Sequence, residues 1–327
     1  MQEFNRFAET AAATALRWHQ EGAGAVLATV VQTWGSAPRR VGAQLVIAGD
    51  GRIEGSVSGG CVEGAVILEA LDALAEGGSR VLEFGVSDGD AFAVGLACGG
   101  TIRILVEPVG SALPLAVLEE LVAAQKARRA VAYEINLVSG KARLLFDAYR
   151  ERLHSGHSGF EPDGETFVAV HNPPLRLIVV GAVHIAQALV PMAQIAGYKA
   201  VVIDPRSSFA TAERFPDAVL MDDWPDEAVM ALELDHRSAV VLLTHDPKLD
   251  DPALHAALGR DCFYIGALGS KRTHAKRLDR LTAAGFAPDE LARIHGPVGL
   301  DIGAANPAEI AVAILAQMTA ALRGKAE

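Results

Sequence analysis

The 327-residue chain has few cysteines, few basic residues and no long apolar run, and each shortage excludes a class of protein. Three cysteines cannot build a disulfide-rich framework, and no CxxC or HExxH spacing indicates zinc. A formal net charge of −11 disfavours nucleic acid as a partner, because phosphate binding requires a basic surface. No apolar run could span a membrane, and the first residues lack a signal-peptide core. We therefore expect a cytoplasmic α/β protein with no membrane span.

The order of helical and strand patterns predicts two folded domains with a segment between them. Residues 1–110 predict a mixed α/β domain, and residues 175–327 predict a Rossmann-like domain whose apolar strands alternate with helices around a parallel sheet. Residues 111–174 predict a connecting segment with a helix, a hairpin and a mobile polar loop over 149–164. The fold class is α/β throughout.

The N-terminal domain holds the densest set of candidate site residues. The glycine pair at 59–60 lets the chain turn sharply and leaves its amides uncovered by side chains. Cys61 comes just before a helical pattern, and a helix N-terminus favours the thiolate form of cysteine. A buried, inert cysteine is the alternative interpretation. The candidates for cofactor binding here are Arg39, Ser58, Gly59, Gly60, Cys61, Glu63, Cys98, Gly99 and Gly100.

A second candidate site lies in the C-terminal domain, where Gly181 ends an apolar strand and a helix follows. Asp204 stands about 20 residues later, where dinucleotide-binding domains carry an acid for the ribose. Val183 replaces the glycine that lets a pyrophosphate approach, so the dinucleotide pattern is damaged. Amides at a helix N-terminus still attract an anion. The candidates in this domain are Gly181, His184, Asp204, Arg206, Ser270 and Lys271.

These stretches together resemble one family. Gly35–Arg39 and Ser58–Gly64, followed by Gly181–Ala188, Tyr264–Ser270 and Gly296–Gly303, resemble the XdhC/CoxI family, the accessory factors of xanthine and carbon-monoxide dehydrogenases. The resemblance implies a protein that holds molybdenum cofactor, supports its sulfuration and promotes its insertion into a molybdenum hydroxylase. It also implies a cysteine desulfurase and the hydroxylase apoenzyme as partners, a homodimer, and no catalytic residue in this chain.

In that setting Cys61 and Cys98 are the candidate metal ligands, because soft thiolates suit a molybdenum–dithiolene centre. Two other functions stay open from the sequence. An NAD(P)-dependent oxidoreductase would use the Rossmann-like domain, with Val183 against it. A thiol redox protein would use the two cysteines, although no CxxC pair is present.

Overall fold

The computed structural model describes residues 10–35, 39–85 and 100–324. The chain divides into two compact units, of which one ends at Pro173 and the other begins at Pro174. Residues 111–173, part of the predicted connecting segment, belong to the first unit. The predicted fold class is confirmed, because a mixed α/β unit precedes a unit built on a parallel sheet.

The first unit contains two antiparallel sheets, flanked by helices. In chain order its described elements are α1 (Ala11–Gln20), β1 (Ala25–Trp34), β2 (Gln44–Ala48), β3 (Ile53–Gly55), α2 (Glu63–Glu76), β4 (Arg80–Phe84), β5 (Thr101–Pro108), α3 (Leu115–Lys126), β6 (Val131–Asn136), β7 (Ala142–Leu145), α4 (Arg150–Ser155), β8 (Gly159–Phe160) and β9 (Thr166–His171). The strand orders are β3-β2-β1-β5-β4 and β7-β6-β9-β8.

Strand β1 is the centre of the five-stranded sheet, because its first seven residues are buried and it pairs on both sides. All four pairings in this sheet are antiparallel. The ends of β1, β3 and β4 and the starts of β2 and β5 therefore lie at one end of the sheet. We call it the loop end and define it by Trp34, Gln44, Gly55, Phe84 and Thr101.

Helix α2 covers one face of this sheet. Its buried residues Val66 and Ala70 belong to the same core as Val26 and Val30 of β1. Gly77 caps the end of the helix, and its left-handed backbone lets its N–H bond to the carbonyl four residues earlier. The other face packs in a separate core with α1, α3 and the second sheet. Each fully buried aliphatic side chain stabilises such a core by about 1.5–3 kcal/mol.

The run 149–164, predicted as a mobile loop, contains helix α4 and strand β8. Arg152 organises it, because its guanidinium donates to the carbonyls of Gly159 and Phe160 and lies 2.7 Å from the Glu161 carboxylate. Glycine and serine content indicated a loop, but one arginine satisfies the carbonyls that the turn leaves unpaired.

The second unit is a six-stranded parallel sheet with helices. Its described elements are β10 (Arg176–Val180), α5 (His184–Ile195), β11 (Lys199–Ile203), β12 (Val219–Met221), α6 (Pro225–Ala231), β13 (Ser238–Leu242), α7 (Pro247–Leu258), β14 (Tyr264–Ala267), α8 (Lys271–Ala283), α9 (Pro288–Leu291), β15 (Ile294–His295) and α10 (Pro307–Leu322). The strand order is β12-β11-β10-β13-β14-β15, all parallel.

This order reverses direction between β10 and β13, and ligands of Rossmann folds bind at such a reversal, outside the carboxyl ends of the strands. Strands β10 and β13 are buried along their whole length, as expected for a sheet covered on both faces. In the described part of the chain, none of the helices combines the length and apolarity needed to cross a bilayer.

Candidate functional site

The loop between β3 and α2 is held by one carboxylate, that of Glu63. Its Oε1 accepts hydrogen bonds from Ser56 Oγ at 2.8 Å, Ser58 N at 2.9 Å and Gly59 N at 3.1 Å. Its Oε2 accepts from Gly60 N at 2.8 Å and from the Ser58 hydroxyl. Three amides and two hydroxyls therefore converge on a single side chain.

These bonds determine the charge state of Glu63. Partial burial acts to raise the pKa of its carboxyl, but the hydrogen bonds from Ser58 and Ser56 outweigh that effect and lower the pKa to about 2. Glu63 is therefore ionised at neutral pH. The loop keeps its shape because the carboxylate satisfies donors that the turn directs inward.

The structure corrects one prediction about this loop. The amides of Ser58, Gly59 and Gly60 do not lie uncovered for a ligand, because all three donate to Glu63. Glu63 is thus the organiser of the turn rather than a group that only complements the helix N-terminus. What the loop presents outward is the pair of exposed glycines and the partly exposed thiol of Cys61, two residues before α2.

The loop end brings together segments that are distant in sequence. A Cβ added at Gly35 would lie 3.5 Å from the Cα of Gly100, so the start of the Arg39 segment adjoins the start of β5. Gly55, just before the Ser56–Cys61 loop, packs on the Gln44 carbonyl. Arg39 is exposed, and Gly100 is buried. Cys98 and Gly99 lie outside the described residues.

The second unit places Gly181 at the reversal of the strand order. Its φ is +105°, and a Cβ there would lie 2.6 Å from Thr244 Cγ2, two residues after β13. Only glycine fits this close approach. Val183 is the N-cap of α5 and gives no side-chain cap, and His184, the first helical residue, is exposed.

Asp204 does not have the geometry expected of a ribose-binding acid. Its side chain is fully buried, and its oxygens accept bonds from Ala182 N at 2.9 Å and from Arg206 Nε and Nη2 at 2.8 and 2.7 Å. Burial acts to raise the pKa of Asp204, and the bonds from Arg206 lower it overall. The carboxylate is already engaged by its own chain. The residues present therefore do not fit an NAD ribose.

Ser270 and Lys271 stand at the start of α8, as the sequence predicted. Ser270 is the N-cap, and its hydroxyl accepts from Thr273 N at 3.1 Å. That bond gives the serine a structural role. Lys271 is exposed and is the first helical residue.

Both candidate sites have residues in segments matched by family models, whereas Cys98, Gly99 and Gly100 fall between the two matched segments. The XdhC and CoxI family matches residues 18–85, and the XdhC Rossmann domain matches residues 177–318. The molybdenum cofactor insertion chaperone PaoD of Escherichia coli is 34% identical over 298 residues, which is 91% of this chain and 83% of that protein. The chain belongs to the XdhC/CoxI family.

Other similarities extend over almost the whole length of this XdhC/CoxI chain. A Bacillus subtilis protein described as a probable xanthine dehydrogenase subunit is 29% identical over 327 residues, covering 90% of this chain and 92% of that protein. A crystal structure described as a xanthine dehydrogenase from Bacillus halodurans superposes with a TM-score of 0.77 at 27% identity, covering 98% and 97% of the two chains. The resemblance predicted from the sequence motifs is confirmed.

One polar cluster of this XdhC/CoxI chain was missed by the sequence analysis. Arg277 of α8 is 2% exposed, donates to Leu268 O at 2.9 Å and lies 3.6 Å from the Asp250 carboxylate, which accepts from Thr244 Oγ1 at 2.5 Å. Burial raises the pKa of Asp250 and lowers the pKa of Arg277. The available signal was the four-residue spacing from Arg277 to the buried Leu281, which places both on the inner face of α8.

Proposed function

We propose that this chain holds molybdenum cofactor, keeps it while sulfur is added, and promotes its insertion into a molybdenum hydroxylase of the xanthine or carbon-monoxide dehydrogenase type. The observation that carries the proposal is the similarity to a molybdenum cofactor insertion chaperone across 91% of the chain. The loop that presents Cys61 lies within the matched family segment. The cofactor is cargo, so the chain need not catalyse a reaction.

The chemistry of the loop end is suited to such cargo. Cys61 offers a partly exposed sulfur in a turn that Glu63 keeps in one shape, and soft sulfur ligands suit molybdenum. Arg39 would bind the phosphate of the cofactor, because a planar guanidinium forms paired bonds with phosphate oxygens. Cys98, Gly99 and Gly100 complete the proposed set by their place in the sequence.

The second unit would bind an anion separately from the loop end, such as the phosphate of an unrelated nucleotide. Helix α5 starts without a side-chain cap, so no capping side chain competes with an anion for its first amides. His184 and Lys271 are exposed at the starts of α5 and α8. Arg206 is 42% exposed while it holds Asp204. Gly181 and Ser270 would shape these turns rather than contact the ligand by side chain.

The proposed partners are a molybdenum hydroxylase apoenzyme and a cysteine desulfurase that supplies the sulfur. We further propose that the protein acts in the cytoplasm as a homodimer. The excess of acidic over basic residues, 40 against 29, supports a protein partner over nucleic acid.

The test is retention of cofactor by the purified protein under anaerobic conditions. Cofactor released from a molybdoenzyme is offered to the wild type, Cys61→Ser and Cys262→Ser. The molybdenum content per protein chain is measured after gel filtration. Cys262 is the matched control, because it is a thiol in the core of the second unit whose pKa burial raises to about 11. We expect the wild type and Cys262→Ser to retain molybdenum, and Cys61→Ser to lose it.

A second readout follows transfer. The loaded proteins are mixed with a molybdenum hydroxylase apoenzyme, and the appearance of its activity is timed with and without a cysteine desulfurase. No retention by the wild type would overturn the carrier function. Retention that survives Cys61→Ser would remove the thiol from the site.

The alternative, an NAD(P)-dependent oxidoreductase, has no observation in its favour beyond the Rossmann fold. The buried Asp204 would have to exchange Arg206 for a ribose. Val183 also stands where a glycine would let the pyrophosphate approach. Calorimetry with NAD and NADP tests this directly. Tight binding of either would revive the oxidoreductase and refute our interpretation of Asp204.

A further inference from the structure

Trp34 is exposed at the loop end, although tryptophan is mostly buried in folded proteins. Its side chain is 45% exposed, whereas Trp18 of the same unit is 5% exposed. Trp34 is the last residue of β1, and Gly35 follows with a left-handed backbone at φ +69°. The last residue of β1 therefore presents an exposed indole ring, and Gly35 follows it in the chain.

The strand register shows which side chains share its face. Trp34 pairs with Thr101, and Gln32 pairs with Arg103, past a bulge that begins after Val30. Directly opposed residues of an antiparallel pair point to the same face, as do alternate residues along one strand. Gln32, Trp34, Thr101 and Arg103 thus form one patch, which we call the Trp34 patch.

The Trp34 patch is continued by an aromatic ring and held by a hydrogen bond. Arg103 Nη1 donates to Gln32 Oε1 at 3.0 Å, and the guanidinium lies 5.7 Å from the ring centre of Phe160. The opposite face of the same strands, with Ile102 and Ile104, is buried under α2. The patch is therefore a fixed surface of planar groups at the open end of the sheet.

Positive charge at the loop end indicates which kind of ligand the patch would accept, since the Arg40 carbonyl accepts from Ala43 N just before β2. Arg39 and Arg40 are exposed, and neither forms an ion pair with the residues described in 10–35, 39–85 and 100–324. This local positive charge contrasts with a chain whose net charge is −11. A planar ring surface at the same end of the sheet as two exposed cations fits a flat heteroaromatic ligand that carries an anionic group.

We propose that Trp34 is a stacking residue for the pterin ring of the bound cofactor, with Arg39 and Arg40 meeting its phosphate. The inference rests on the proposed function and adds the group that recognises the organic part of the cargo. The indole face supplies π-stacking and the cations supply charge. The ring would be bound separately from the sulfur that Cys61 offers to the metal.

The first experiment uses fluorescence of the full chain carrying Trp224→Phe. This change removes the other exposed tryptophan, which is 53% exposed, and leaves Trp34 as the one that acrylamide reaches readily, since Trp18 is buried. Pterin-6-carboxylate, a pterin without metal, should quench Trp34 emission and protect it from acrylamide. Molybdate alone, which has no ring, should do neither.

The second experiment measures affinity for the released cofactor and for the pterin. Trp34→Ala and Trp34→Leu should weaken both about 10-fold, because stacking on an aromatic side chain accounts for roughly this factor or more. Trp34→Phe should stay within about 3-fold, since it keeps a π-face. Trp224→Ala is the matched control and should leave affinity unchanged. Unfolding midpoints of all variants check that the first unit is intact.

The outcomes separate this inference from the proposed function. If the wild type binds no cofactor, the carrier function fails. If the wild type binds and Trp34→Ala binds equally well, stacking is refuted and the carrier function stands. If Trp34→Ala binds the cofactor normally but delivers it poorly to the apoenzyme, Trp34 contacts the partner protein, and the inference is overturned.

Discussion

Replacing Glu63 with glutamine tests how the Ser56–Cys61 loop is held. The two side chains have nearly the same shape, so the change alters charge and hydrogen bonding rather than packing. One carboxylate oxygen becomes an NH₂ group, which donates where the loop needs an acceptor. The less costly orientation places NH₂ at the Oε2 position. There the Ser58 hydroxyl can rotate to accept, but Gly60 N–H loses its acceptor.

The expected cost follows from these contacts. Gly60 is exposed, so water can replace its lost acceptor and that part of the cost is small. The remaining bonds change from charged to neutral acceptors, which weakens each of them. Because the loop is partly solvated, we expect Glu63→Gln to lower the free energy of unfolding of the first unit by about 1–2 kcal/mol. Glu63→Ala, which leaves every donor without its acceptor, should cost more.

The same bonds predict a pH dependence. The folded-state pKa of Glu63 lies at about 2, below its ordinary value of 4.5. A carboxyl with a lowered folded-state pKa stabilises the fold above its unfolded pKa, and that contribution is lost as the pH falls between the two values. After a discount for the partial exposure of Glu63, about 1–2 kcal/mol should disappear between pH 4.5 and pH 2.

The assay is urea unfolding in a Trp224→Phe background, where the remaining tryptophans, Trp18 and Trp34, both report on the first unit. Wild type, Glu63→Gln and the control Glu119→Gln, an exposed glutamate of α3, are compared at several pH values. The gap between wild type and Glu63→Gln should narrow as the pH falls. A gap below about 0.5 kcal/mol at neutral pH, or one that does not change with pH, would refute the role given to Glu63.

Three further predictions concern buried groups and close packing. Arg277→Leu leaves Asp250 buried without its cation, so the free energy of unfolding of the second unit, followed by Trp224 fluorescence, should fall by about 3 kcal/mol. Adding Asp250→Asn to this variant should restore part of that stability, and additive losses would contradict the pairing. Burial raises the pKa of Glu107 to about 7, so the free energy of unfolding of the wild type should fall by about 2–3 kcal/mol as the pH rises from 4.5 to 7. Glu107→Gln should not show this fall, and parallel pH profiles of the two proteins would contradict the raised pKa. Gly181→Ala should cost about 2 kcal/mol or more in thermal unfolding of the second unit, because of its positive φ and its close approach to Thr244. An unchanged unfolding midpoint would show that the turn can move.

The fold of the Rossmann-like unit could be predicted from the sequence because it depends on local patterns of apolar residues. Apolar strands such as Arg176–Val180 alternate with helices, and parallel connections leave few arrangements open. The strand order of the first unit could not be predicted in the same way, because the place of β1 between β2 and β5 depends on pairings between distant segments. Local patterns predict that strands exist but not which strands are neighbours.

The candidate site divides in the same way. Cys61 and the glycine pair at 59–60 could be selected from residue type and position. The role of Glu63 could not, because it depends on three amides turning toward one side chain. Asp204 was selected by its spacing from Gly181. Its hydrogen bonds to Arg206 depend on how the arginine side chain folds back over two residues, which spacing does not show. Trp34 gave no signal in the sequence, where an exposed and a buried tryptophan look alike.

The five-stranded sheet carries its candidate site residues at the loop end, and this has a practical consequence. The turn at Gly49–Gly51 between β2 and β3, and the end of α2 at Gly77, lie at the opposite end from Trp34 and Gly55. Asp50 and Gly51 are exposed there. A surface anchor or an affinity tag inserted at Asp50 would hold the first unit by the end of its sheet opposite the loop end. Cargo loading and release could then be followed on single immobilised molecules.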